Sequence, residues 1–161
     1  MTTFTRRTVV RGVGGTFAVG FLAGCLGDDE DDDQEEDDPE TVAVNWASAA
    51  DNFDDAGDIE DHTGEDSVTV LNGEQPGANY VFEPAVVRID AGTEVVWEWT
   101  TNNHTVDLIP GEGATLTDWD DHPQAENEGY EYATTFDEPG VALYECVPHR
   151  AQNQRGAGIV E

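Results

Sequence analysis

The chain has 161 residues, room for one compact domain of ordinary size and not comfortably for two. Its 36 acidic residues face only 6 basic ones, all of them arginine, for a formal net charge of −30. Nothing here could neutralise phosphates, which excludes nucleic acid as a partner. Acids spread along the whole chain read as a solvated surface suited to high salt, where the Debye length falls to about 3 Å at about 1 M.

The opening stretch, MTTFTRRTVVRGVGGTFAVGFLAGC, is an address rather than part of the fold. Arg6 and Arg7 form a twin-arginine pair ahead of a glycine-diluted apolar run, Gly12 to Gly24, shorter than the roughly 20 residues a membrane span needs. The run ends in LAGC, which resembles a lipoprotein box. Residues 1–24 are therefore expected to be a twin-arginine lipoprotein signal peptide, and Cys25 to become the lipidated first residue of the mature chain; two acyl chains suffice for stable anchoring. Without lipidation, Cys25 is an ordinary residue of a cleaved signal.

Residues 25–44 read as lipid anchor and acidic linker. Between positions 28 and 40, 11 of 13 residues are Asp or Glu, and self-repulsion keeps such a segment extended and disordered. Residues 45–66 stay acidic but carry Trp46, Phe53 and Ile59, which are expected to pack on the domain edge from a loose extension with about one helical turn.

From Ser67 the pattern turns to strands. SVTVL, NGEQPGANYVFEP, AVVRI, the turn DAG and TEVVWEW follow one another, bounded by Gly, Pro, Asn or Asp, and predict an all-β sandwich or barrel over residues 67–161. In NHTVDLI, His104 shares a face with Val106 and Leu108; in GVALYEC, Ala142, Tyr144 and Cys146 are in phase, so the thiol ends the inward face of the penultimate strand. Residues 111–129 between them form a long polar connection with about one helical turn. His62 and His122, in acidic loops, are expected at the surface.

Taken singly, His104 is as well explained as a hydrogen-bonded core residue, and Cys146 as a small buried hydrophobe. Together with His149, three residues beyond Cys146 across Pro148, they make a different object. Two imidazoles and one thiolate are the trigonal donor set of a blue-copper site: thiolate suits Cu(I), and imidazole suits both oxidation states.

At this point GANYVFEPAVVRIDAGTEVVWEWTTNNHTVDLI and TTFDEPGVALYECVPHRAQNQRGAGIVE resemble the plastocyanin-like blue-copper proteins, and the acidic chain with its twin-arginine, lipobox start is similar to the halocyanins of haloarchaea. The resemblance covers roughly residues 46–161. It implies a cupredoxin-like Greek-key β-sandwich, one mononuclear copper cycling between Cu(II) and Cu(I), and a monomeric single-electron carrier. His104, Cys146 and His149 match the family's three strong ligands. The family's fourth is a methionine eight residues after the cysteine, or six in shorter loops, with a glycine two residues on. The only methionine here is Met1; Gln154 stands at eight and Gln152 at six, and Gly156 follows Gln154 by two. The resemblance thus assigns the axial role to Gln154, with Gln152 as fallback; an amide oxygen is a known weak axial ligand.

Two further departures bear on the site. Thr105 stands where many relatives have an asparagine that braces the two ligand loops, and Glu145 stands where many plastocyanins have an aromatic, leaving the edge of His149 as the expected electron port and docking point for redox partners. Glu145 and Val147 flank the cysteine where a multicopper oxidase would need histidines, and a dinuclear copper centre would need a second cysteine in the loop. No enzyme is expected. The rival reading is a non-redox module that stores or delivers copper, or holds Zn²⁺ through the same donors.

Overall fold

The computed structural model describes residues 38–76 and 78–161. The segment expected to be a signal peptide, Cys25 and the expected linker up to residue 37 lie outside them. In chain order the elements are α1 (Pro39–Ala47), β1 (Glu60–Asp61), β2 (Ser67–Gln75), β3 (Ala78–Glu83), β4 (Val86–Ile89), β5 (Glu94–Trp99), β6 (His104–Leu108), β7 (His122–Glu126), β8 (Glu131–Thr135), β9 (Gly140–Glu145) and β10 (Arg155–Val160), with short 3₁₀ turns at Ala56–Asp58 and Val147–Gln152. The strands make two sheets, of six in the order β1-β4-β10-β9-β6-β7 and of four in the order β3-β2-β5-β8.

Period-two alternation builds the sandwich. Val68 and Val70 of β2, Val95, Trp97 and Trp99 of β5, and Ala142 and Tyr144 of β9 turn inward and meet Phe82, Val87, Ile89 and Val106 in one buried core. Cys146 closes that inward row, as its phase predicts. Aromatic rings fill the centre edge to face: Tyr144 meets Trp97 at 5.4 Å and Phe82 at 4.9 Å between ring centroids. Gly156 lies directly opposite Tyr144 in the β9–β10 ladder, and a Cβ there would come within 2.5 Å of the tyrosine ring, so a residue without a side chain is required.

The six-stranded sheet is apolar on both faces. Val141 and Leu143 of β9 and Ala157 and Ile159 of β10 point away from the sandwich, and α1 covers them with Val42, Ala43 and Ala47, joined by Ala50 and Phe53. Asp38 caps the helix by accepting from the Thr41 amide, and Pro39 occupies its first turn. Near its start Glu40 pairs with Arg88; near its end the Trp46 indole donates to the carbonyls of Tyr144 and Gly156 at 3.2 and 3.1 Å. The helix therefore runs against the direction of β10.

This corrects the expected boundaries. The helix begins at Pro39, inside the segment 25–44 read as linker, and residues 45–66 are no loose extension: β1 pairs in parallel with β4, and Phe53 is buried. The physical reason is the second apolar face of β9 and β10, which needs a cover. Likewise the stretch 111–129 contains a strand rather than a helical turn. β7 pairs with the edge of β6, and its His122 is not a surface residue: its ring packs among Trp99, Tyr130 and Tyr132 at 4.9–5.7 Å. His62 lies half-buried between Glu60 and Glu65.

Candidate metal centre

One end of the sandwich brings His104, Cys146 and His149 together, with their donor atoms all within 4.8 Å of one another. His104 opens β6, whose start is fixed by the Trp99 indole donating to the His104 carbonyl at 2.8 Å. Cys146 ends the β9 ladder, its amide donating to the Gln154 carbonyl at 2.9 Å. Between these anchors the 3₁₀ turn folds His149 back, its amide donating to the Cys146 carbonyl at 3.0 Å, and Asn153 ends the turn in the left-handed conformation at φ 57°. Cys146 Sγ stands 3.7 Å from His104 Nδ1 and 3.3 Å from His149 Nδ1.

The surroundings fix each donor. His104 Nε2 has Thr101 Oγ1 as partner at 2.8 Å, which leaves Nδ1 to face the site. The Thr105 amide donates to Cys146 Sγ at 3.4 Å. The bracing expected of an asparagine at this position is made here by a hydroxyl: Thr105 Oγ1 accepts from the Val147 amide at 3.1 Å and donates to Asp107. Glu145 is buried and held by Arg150, whose Nε donates to it at 2.7 Å.

The two glutamines part company. Gln154 is fully buried, and its Oε1 lies 2.8 Å from His104 Nδ1, on the side of the three donors. Gln152 is exposed on the 3₁₀ turn. Two residues near the site had not been singled out from the sequence. Tyr80 lies flat over the His149 ring, 4.2 Å between centroids and 10° from parallel, on a backbone at φ 56°; no sequence signal announces that conformation in a tyrosine. Asn72 is buried beneath Gln154. Its phase with Val68 and Val70 is the signal, obscured because an Asn-Gly pair commonly marks a turn whereas β2 continues through Asn72 and Gly73 with a bulge.

Electrostatics suit a soft cation. Burial lowers His104 to about 4, with the neighbouring His149 adding to the effect against the Gln154 hydrogen bond. Burial also lowers His149 and raises the Cys146 thiol, the latter against the Thr105 hydrogen bonds. At neutral pH both imidazoles are thus unprotonated, as ligands must be, and the thiol gives up its proton to bind metal. Two neutral imidazole nitrogens and one hydrogen-bonded sulfur, with an amide oxygen beside them, fit copper as a type 1 site.

A two-sheet sandwich with this donor set at one end defines a blue copper electron-transfer protein. The chain belongs to the plastocyanin/azurin family of copper-binding proteins, whose family model matches residues 68–161. It is 42% identical over 167 aligned residues, spanning all of both chains, to a halocyanin of Natronomonas pharaonis. It is 36% identical to the chloroplast plastocyanin of Tetradesmus obliquus over 59% of this chain and 68% of that one. Among solved structures, oxidised plastocyanin from Dryopteris crassirhizoma superposes with a TM-score of 0.50 at 20% identity, over 58% of this chain and all of the other, a likeness of fold. One type 1 copper is the cofactor.

Proposed function

We propose that the protein is a membrane-anchored, monomeric carrier that passes single electrons between protein partners on the outer face of the cell membrane. The observation that carries the reading is the convergence of His104, Cys146 and His149 at one end of the sandwich; Gln154, whose Oε1 lies 2.8 Å from His104 Nδ1, would be the fourth ligand. Bound copper supplies a Cu(II)/Cu(I) couple that takes up one electron and gives it back.

What the chain's residues contribute is a rigid frame. Thr101 orients His104, Thr105 donates to the thiolate and ties both ligand loops together, and Trp99 holds the backbone of His104. A frame that does not rearrange lowers the cost of changing the oxidation state. The donors turn inward on one another rather than toward a substrate cavity, which supports a carrier rather than an enzyme. Val147, 45% exposed and the one large exposed apolar side chain among the described residues, adjoins Cys146 and supports docking of protein partners at this end, close to His149.

Export and anchoring rest on Arg6, Arg7 and the LAGC sequence ending at Cys25. Intact mass of the membrane-extracted protein is expected to give a chain starting at Cys25 plus lipid; an unmodified N-terminus elsewhere overturns the anchor. Addition of Cu²⁺ to metal-free protein tests the carrier itself. An intense blue or green colour that a reductant bleaches reversibly is expected, whereas a tight colourless complex favours the storage or zinc reading.

A further inference from the structure

We propose that Asn72 is a positioning residue for the metal centre, holding the side-chain amide of Gln154 with its carbonyl oxygen toward the histidines. The proposal rests on the reading of Gln154 as axial donor. A glutamine amide offers an oxygen on one side and an NH₂ on the other, and only the oxygen has lone pairs for a metal. Which side faces the site must be decided by the groups behind it.

Those groups decide it through a chain of obligate acceptors. Asn72 Nδ2 donates to the Thr105 backbone carbonyl at 3.3 Å. A carbonyl can only accept, so Asn72 must present its NH₂ there and its Oδ1 on the other side. That Oδ1 accepts from Gln154 Nε2 at 2.8 Å, and the Val81 carbonyl accepts from the same nitrogen at 3.1 Å. Rotating the Gln154 amide by half a turn would set its oxygen against two acceptors and its NH₂ against the metal position. Both side chains are fully buried, so no water offsets that loss. Two backbone carbonyls, of Thr105 and Val81, therefore set the polarity of the whole relay, and Asn72 transmits it from one to the other.

The relay also links the sheets. Asn72 and Val81 belong to the four-stranded sheet, whereas Thr105 lies on β6 of the six-stranded one and Gln154 leads into β10. A polar residue stands in the inward row of β2, after Val68 and Val70, where packing alone would favour another aliphatic side chain. A role in aiming the amide accounts for it.

The test is a double-mutant cycle on the copper-loaded protein, using Asn72→Leu and Gln154→Met, read by reduction potential and by the electron paramagnetic resonance of Cu(II). With Gln154 present, Asn72→Leu removes one of the two acceptors that hold the NH₂ and leaves only the Val81 carbonyl, so the preference for Cu(II) over Cu(I) is expected to fall about threefold or more and the resonance to change. With methionine at 154, the same replacement is expected to leave both readouts nearly unchanged. Equal shifts in the two backgrounds would mean that Asn72 acts on the fold and not through the amide, overturning the proposal. A response to Gln154→Met with none to Asn72→Leu overturns it while leaving the axial reading intact; no response to Gln154→Met removes both. Should Asn72→Leu not fold, reduced copper-loaded protein of unaltered sequence answers the question by NMR. Slow hydrogen exchange of the Gln154 side-chain NH₂ is expected, and fast exchange overturns the proposal.

Discussion

The phenol ring of Tyr80 lies parallel to the imidazole of His149 at 4.2 Å, so the donor nearest the surface has one face covered by a residue of the opposite sheet. A left-handed backbone is uncommon for a bulky side chain, and its cost is offset here by the stack. Such aromatic contacts contribute about 1 kcal/mol beyond area burial. Tyr80→Ala is therefore expected to weaken copper binding by about fivefold, measured by competition with a chelator, with the ligands still in place in the spectrum.

The reading of Gln154 as fourth ligand has its own signature. Cu(II) is harder than Cu(I), so an amide oxygen favours the oxidised ion more than a thioether does. Gln154→Met is expected to raise the reduction potential by at least roughly 59 mV, which is tenfold in relative affinity for a one-electron couple. Gln152→Met, at an exposed position on the 3₁₀ turn, is expected to leave it unchanged. Protein-film voltammetry on both variants distinguishes them, and a shift from Gln152→Met alone would reverse the assignment.

Metal uptake should be proton-linked in two regimes. Burial raises the Cys146 thiol, so near neutrality each metal bound displaces one proton, and apparent affinity falls about tenfold per unit of falling pH. As pH falls further the two imidazoles protonate as well, His149 below the ordinary histidine value and His104 at about 4, and the slope steepens. The metal-free protein carries the matching stability effect. Between 6.5 and about 4 the unfolded chain binds the proton that buried His104 refuses, so stability is retained above that window and lost as pH falls through it. Titration with a chelator-buffered metal series, and urea unfolding of metal-free protein across the same range, check the two parts.

Helix α1 and the residues after it carry folding energy. Phe53, 4% exposed, fills the second apolar core, and Phe53→Ala is expected to cost roughly 3–5 kcal/mol in urea unfolding while the copper spectrum of the folded protein stays the same. A loose extension would have shown almost no effect.

Salt should matter strongly. Between Thr41 and Glu161 stand 25 acids and three arginines, Arg88, Arg150 and Arg155, of which Arg88 and Arg150 are already in ion pairs. Screening must offset the remaining repulsion. The thermal midpoint is expected to climb steeply from low to molar salt, and a flat profile would refute the halophilic reading.

The strands that build the sandwich were legible because one face of each repeats apolar residues every second position, as in SVTV and EVVWEW. Grouping of the three metal donors was legible because two sit on one loop and the third begins a strand of matching phase. What escaped depended on contacts between distant segments. Nothing local in residues 39–47 says that a sheet elsewhere lacks a cover; that information lies in VALY and GAGIV, whose uninterrupted apolar character marks strands buried on both faces. His122 escaped for the same reason, since its aromatic neighbours come from β5 and from residues around β8.

The direction of α1 settles where the chain enters the domain. Asp38 and Glu40 lie beside Arg88 and the far end of β10, whereas Trp46 reaches the carbonyl of Gly156 at the near end, next to the ligand loop. Roughly 17 Å of β10 separates the two, at about 3.3 Å per residue. The described chain therefore enters the domain at the pole opposite His149.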